Sequence, residues 1–186
     1  MAGKSFKVSF TLDEKDISYF RALFRRAKKA AAQEEPEEIL KGARQLVADV
    51  RDSPKTPRFV TEAIEAIEDL TQIIEDEDYR APKSISNQVL AALAYFANPE
   101  DLIPDHIPVL GFLDDAIMIK FVEDEFKHEL WAFRKFRKFR DGAEQRPWTA
   151  VASGRLPGRL DAQRKKLRLE VDRRKKADAA RGLSHL

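Results

Sequence analysis

The sequence predicts an all-α protein, a single helical bundle of about five helices. Apolar residues recur at helical spacing over most of residues 13–142, and proline or glycine separates the helical stretches. Strand-like alternation occurs at Phe6, Val8, Phe10 and Leu12, and no second convincing strand follows that could pair with it. At 186 residues and 43% hydrophobic content, the chain can bury one sizeable core and leave tails. We therefore expect a short extended N-terminal arm over 1–12 and a helical domain over 13–142.

The first three helices are predicted from their spacing and their end signals. Thr11 and Glu14 have capping-box spacing, which places the first helix at about 13–32. Pro36 is a favourable first helical residue, so the second helix begins there and ends before Pro54. Apolar residues at helical spacing from Val60 onwards predict the third helix, whose last turn is acidic and is therefore expected to fray.

The second half of the chain predicts a central helix, a long helix and a basic end. The fourth helix begins at Ser84 or Ser86 and is apolar on nearly every side, so we expect it at the centre of the bundle. The fifth helix covers about 113–140 and is closed by Asp141 and Gly142. Residues 143–186 are predicted to be a linker and a basic C-terminal helix or tail, which is solvated or ordered only by a partner.

Charge is strongly segregated along the chain. Residues 1–33 carry a net charge of +5, residues 34–133 of −14 and residues 134–186 of +11, so the basic ends can bind the acidic middle. The absence of cysteine excludes disulfides, thiolate chemistry and cysteine zinc sites. No apolar run reaches the roughly 20 residues of a membrane helix. We expect a soluble, cytoplasmic protein and leave peripheral contact with a membrane open.

An acidic, proline-rich loop is the first candidate site. It lies in a stretch of apolar residues, and burying a carboxylate is costly unless it is hydrogen-bonded, paired or bound to metal. All three alternatives stay open: the aspartates pin the loop by accepting amide hydrogen bonds, they pair with arginines from elsewhere, or they hold a divalent cation such as calcium or magnesium. The candidate metal ligands are Asp101, Asp105, Asp114 and Asp115.

Around this loop the sequence resembles a known family. Residues 95–115 fit the block YFxxPxDLIPDxIPxxGxLDD of the YkvA-like domains of unknown function, and His106 stands where such proteins often have an apolar residue. The resemblance implies a small helical domain, often found in proteins with membrane segments, with no established activity or cofactor. It also implies a structural role for six residues of the block: Tyr95, Phe96, Pro99, Pro104, Pro108 and Gly111.

Glu125 and His128 on the fifth helix form a single Glu-x-x-His pattern. Di-iron bundles use this pattern twice, so a solvated helix face is the preferred interpretation.

The end of the fifth helix, WAFRKFRKFR, is the second candidate site because it is basic and amphipathic. One interpretation places Phe133, Phe136 and Phe139 in the core and leaves the cations in solvent. The others are contact with an anionic membrane surface and contact with nucleic-acid phosphate, supported by the basic tail. The residues predicted to bind an anionic surface are Arg134, Lys135, Phe136, Arg137, Lys138 and Phe139.

These observations favour a binding or scaffold module over an enzyme. The sequence contains no Gly-rich phosphate loop, nucleophile elbow or HExxH motif. Two alternatives remain: a metal-dependent enzyme that uses the aspartate cluster, and a nucleic-acid-binding protein that uses the basic C-terminus. The sequence leaves open which protein partner is involved and what the oligomeric state is.

Overall fold

The prediction of an all-α fold is confirmed in a computed structural model, which describes residues 11–30, 33–53, 56–97, 112–144 and 155–182. Within these ranges the chain forms helices and no strand. In chain order the helices are α1 (Glu14–Ala30), α2 (Pro36–Asp52), α3 (Arg58–Glu75), α4 (Lys83–Ala97), α5 (Leu113–Glu144) and α6 (Leu156–Ala180).

The start of α1 is fixed by a reciprocal cap that lies two residues after the predicted one. The Asp13 carboxylate accepts hydrogen bonds from the backbone N–H groups of Lys15 at 2.7 Å and Asp16 at 2.9 Å. The Asp16 carboxylate in turn accepts from the Asp13 N–H at 3.0 Å. Asp13 and Asp16 therefore satisfy the free amides of the first turn, in place of the predicted Thr11 and Glu14.

Helix α4 lies at the centre of the bundle, as its nearly all-apolar sequence predicts. It packs against α1, α2 and α3, and α2 approaches it most closely. This approach requires a glycine, because a Cβ atom added at Gly42 would collide with Cα of Ala97.

Helix α5 connects α6 to the preceding helices of the bundle. It packs against α3 on one side and α6 on another. It also continues to Glu144, past the predicted stop at Asp141 and Gly142.

The C-terminal helix differs from its prediction, because it packs on the chain's own α5 and is not a wholly solvated tail. Leu160, Leu167 and Val171 are buried there, at 5%, 6% and 2% exposure.

Three predicted features lie mainly outside the described ranges: the extended arm up to residue 10, the loop over 98–111, and most of the linker, over 145–154. No helix in the described part of the chain combines the length and the apolar content needed to cross a membrane.

Candidate anionic-surface site

The phenylalanines at the end of α5 face the core. Phe133 and Phe136 are both fully buried and pack edge-on against the Tyr79 ring, with centroid distances of 5.0 and 5.3 Å. Phe139 is partly buried against the same core, and the Arg159 guanidinium lies 5.6 Å from its ring centroid. In this fold Phe136 cannot insert into a lipid surface, so the prediction that it is an exposed anchor is wrong. The periodicity that suggested a membrane-facing stripe comes from core packing.

Three arginines of α5 bind the acidic face of α3. The Asp69 carboxylate, whose side chain is only 11% exposed, accepts from Arg134 Nε at 2.5 Å and Arg137 Nη1 at 2.8 Å. Arg140 Nη1 donates to both Asp76 oxygens, at 2.9 and 2.8 Å. The helix ends at Glu75, and Asp76 to Asp78 of the predicted acidic end lie beyond it. Charge-assisted contacts of this kind are roughly twice as strong as neutral hydrogen bonds, so Arg140 ties the residue after α3 to α5.

Other cations of α5 point to solvent. Lys135 and Lys138 are exposed, and neither has an ion-pair partner within the described ranges. Arg134 remains half exposed even though it contacts Asp69. The side chains of Arg134, Lys135 and Lys138 line a surface groove of about 310 Å³, which we call the α5 groove. Its other lining residues are Lys120, Glu123, Asp124, Lys127, Leu130 and Trp131.

The helical register explains why these residues share one face. Lys120, Lys127, Trp131, Arg134 and Lys138 follow one another at spacings of seven, four, three and four residues, which places them in one stripe along the helix. The stripe contains four cations and one indole ring. The sequence analysis missed Lys120, Lys127 and Trp131, although this spacing could have identified them.

At its far end the groove is partly neutralised. Lys120 Nζ lies 2.8 Å from Glu123 Oε2, and this contact raises the pKa of Lys120. Lys127 Nζ lies 2.5 Å from Asp178 Oδ2 on α6 and holds the pKa of the Asp178 carboxyl below its usual range. The free positive charge is therefore concentrated near Lys135 and Lys138.

Trp131 lies in the middle of the groove and contacts α6. The Arg174 guanidinium of that helix is 3.8 Å from the Trp131 ring centroid, a close cation–π contact. The indole is only partly buried, so its remaining surface is available beside the exposed cations.

A buried polar cluster under α6 was not expected from the sequence. Glu129 is 3% exposed and accepts from Arg168 Nη1 at 2.6 Å and Lys175 Nζ at 3.0 Å. The Arg168 guanidinium also lies 4.7 Å from the Tyr79 ring centroid. These pairs join residues 39 and 46 positions apart, so no local pattern in the sequence indicates them.

The aspartates predicted to bind metal are only partly described. Asp114 and Asp115 lie in the first turn of α5 and are 5% and 4% exposed, while Asp101 and Asp105 lie outside the described residues. Within the described ranges, no group of three or more His, Asp or Glu side chains is arranged to hold a metal ion. The divalent-cation site therefore stays a prediction.

The structural residues of the family block are divided in the same way. Tyr95 and Phe96 are buried in α4 and pack edge to face at 5.1 Å. The others, Pro99, Pro104, Pro108 and Gly111, lie outside the described residues.

The Glu-x-x-His pair contributes to helix docking. Glu125 accepts from Lys28 Nζ of α1 at 2.6 Å, whereas His128 Nε2 lies 3.0 Å from Asp178 Oδ2 of α6. The two side chains thus contact different helices.

Comparisons with known proteins found similarity over part of the chain. Residues 88–121 match the family described as "Protein of unknown function (DUF1232)". A relative described as "Uncharacterized membrane protein YkvA", from Bacillus subtilis (strain 168), is 43% identical over 47 residues, which are 25% of this chain. The matched stretch spans 44% of that protein, less than half its length. No solved structure matches the chain. The YkvA-like resemblance is thereby confirmed, and residues 88–121 are the part of the chain that is similar to the DUF1232 family.

Proposed function

We propose that this protein is a peripheral binding module that contacts the anionic surface of a membrane through the α5 groove. The observation that carries the proposal is the group of exposed cations Arg134, Lys135 and Lys138 beside the indole ring of Trp131 in the α5 groove. Tryptophan favours the boundary between water and lipid, because its ring is apolar and its N–H is polar. Lysine and arginine near an anionic leaflet each contribute about 1 kcal/mol.

The mode of contact differs from insertion of phenylalanines. Because Phe133 and Phe136 are fully buried, attraction comes mainly from charge, with Trp131 as the apolar contribution. Binding should therefore weaken strongly with added salt. The name of the Bacillus relative, a membrane protein, also supports a membrane surface as the partner.

The distribution of ion pairs favours a membrane surface over nucleic acid. Many cations of the basic C-terminal region already contact carboxylates of this chain and are less available to phosphate. The paired residues are Arg134, Arg137, Arg140, Arg164, Arg168, Arg173, Arg174 and Lys175. On α5, the exposed cations left without an ion pair within the described ranges are Lys135 and Lys138, and this small patch suits a flat anionic surface better than the length of a duplex.

Charge reversal in the groove tests the proposal. We expect the double variant Lys135→Glu and Lys138→Glu to bind vesicles of phosphatidylglycerol and phosphatidylcholine at least about 30-fold more weakly, since removing two cations costs about 2 kcal/mol. Vesicle sedimentation measures the affinity.

The matched control is Lys15→Glu with Lys41→Glu, which makes the same change in net charge on exposed positions of α1 and α2. A similar loss in both double variants would mean that net charge alone attracts the protein. That result, or no loss in either, would contradict a role for the groove. If the parent protein did not bind vesicles, and the groove variant instead lost affinity for duplex DNA, the result would favour the nucleic-acid alternative.

A further inference from the structure

A second groove, lined mainly by apolar side chains, lies where α1, α3 and α5 meet. It encloses about 650 Å³, within the range of roughly 300–1,000 Å³ that is usual for ligand sites. Phe59 is 49% exposed at this groove, an unusual position for a large aromatic side chain. Its apolar lining includes Leu12, Ile17, Phe59, Ala63, Ile117 and Phe121.

The rim of this apolar groove is acidic. Glu62, Glu123 and Asp124 line it together with one cation, Lys120. Asp124 is exposed and has no ion-pair partner within the described ranges. An occupant with apolar side chains and one or more positive charges would be complementary to such a site.

The chain itself contains a segment with apolar side chains and positive charge, and this segment directly precedes Leu12 in the sequence. Leu12 lines the groove, and in extended backbone every second side chain points to the same face. Phe10, Val8 and Phe6 share the parity of Leu12, so in extended form they would follow it along the groove. Lys7 within this segment and Lys4 shortly before it carry positive charge, which is opposite in sign to the acidic rim.

We propose that the apolar groove binds an extended segment in which apolar and polar residues alternate, and that its occupant is residues 6–10 of the same chain. A rise of about 3.3 Å per residue gives a length of roughly 20 Å from Phe6 to Leu12, enough to cross the face of two helices. Each buried phenylalanine would remove about 150–250 Å² of surface from water. The apolar groove shares Lys120, Glu123 and Asp124 with the α5 groove, but the proposal does not rest on membrane binding.

Cross-linking of engineered cysteines tests the proposal, because the chain contains no natural cysteine. The test pair is Val8→Cys with Ala63→Cys, a groove-lining position on α3. The control pair is Ser9→Cys with Ala63→Cys, which has nearly the same tether length but opposite parity. In the seated segment, the Val8 pair should form an intramolecular disulfide at least tenfold faster in a glutathione buffer.

A second groove position keeps the test decisive if Ala63→Cys impairs folding. Ile117→Cys on α5 replaces it in both pairs, with the same expected difference. Equal rates for Val8 and Ser9 would overturn the proposal, because an unseated tether does not distinguish parity. Covalent dimers in dilute protein would also overturn it, since the groove would then take the segment of a second copy.

Discussion

At the scale of single residues, Asp69 connects stability with the proposed function. Its nearly buried carboxylate accepts from Arg134 and Arg137, two residues of the basic end of α5. The same carboxylate thus joins α3 to α5 and neutralises part of the charge that would otherwise face an anionic surface. The two partners are 47% and 39% exposed, so solvent screens part of this attraction.

Replacing Asp69 with alanine should therefore change stability and binding in opposite directions. We expect the free energy of unfolding in urea to fall by about 1–3 kcal/mol, because two charged donors lose their acceptor. We expect affinity for anionic vesicles to rise, because Arg134 and Arg137 are released. The control Glu65→Ala removes an exposed carboxylate from the same helix and should leave stability nearly unchanged. If Asp69→Ala binds vesicles no more tightly than this control, the two arginines do not belong to the binding surface.

Tyr79 is a buried phenol packed between Phe133, Phe136 and Arg168. It is 1% exposed, and its hydroxyl has no hydrogen-bond partner within the described ranges. Burial raises the pKa of Tyr79 well above the ordinary value of about 10, and the nearby Arg168 guanidinium opposes this shift only in part.

This shift predicts a stability change at alkaline pH. The folded state holds the phenol proton more tightly than the unfolded chain, so this contribution is fully present below about pH 10. Above pH 10 it is lost, with a slope of up to about 1.4 kcal/mol per pH unit. In Tyr79→Phe the free energy of unfolding should fall less steeply above pH 10, and near pH 7 it should be equal to or higher than in the parent. Tyr19→Phe, which alters a half-exposed tyrosine, should keep the parent's slope, and an equal slope in Tyr79→Phe would show that the phenol is not desolvated.

At the scale of elements, the packing of α6 on α5 could not be predicted from the sequence. Its apolar residues are too sparse to form a continuous stripe, yet Leu160, Leu167 and Val171 lie seven and four residues apart and meet α5 on one face. The rest of the contact consists of Arg168 and Lys175 on Glu129, across long sequence separations that no local pattern reveals. The helices α1 to α5, in contrast, could be predicted to within a few residues because their apolar spacing is regular. The cap at Asp13 was misplaced by two residues, since Thr11 and Asp13 both have suitable side chains.

A pair of leucines on α6 tests its docking. Leu167 is 6% exposed against α5, while Leu169 on the same helix is 72% exposed. We expect Leu167→Asp to detach α6 and to speed trypsin cleavage within residues 155–181 by at least tenfold, because a charge cannot be buried there without a partner. Leu169→Asp should leave cleavage unchanged. Equal protection in both variants would mean that the ion pairs alone hold α6.

At the scale of the whole molecule, the acidic and basic regions of the sequence pair mainly with each other. The acidic middle and the basic C-terminal region meet at α3–α5 and at α5–α6, where carboxylates and guanidinium groups pair. The α5 groove is where cations remain exposed beside an indole ring. Composition alone could predict the attraction between the regions, but it could not indicate which cations would stay free. Which cations stay free depends on the carboxylates that pair with the others across long sequence separations. Asp69, Asp76 and Asp178 pair with cations of α5, and Glu129 pairs with cations of α6.

Fluorescence of Trp131 gives the most direct test of membrane contact by this groove. The chain has two tryptophans, and Trp148→Phe leaves Trp131 as the single indole. With vesicles that contain brominated phosphatidylglycerol, we expect quenching of Trp131 that disappears in about 1 M salt, where the Debye length is about 3 Å. Vesicles of brominated phosphatidylcholine alone should cause none. Absence of quenching by the anionic vesicles at low salt, while the protein sediments with them, would show that another surface makes the contact and would contradict the account.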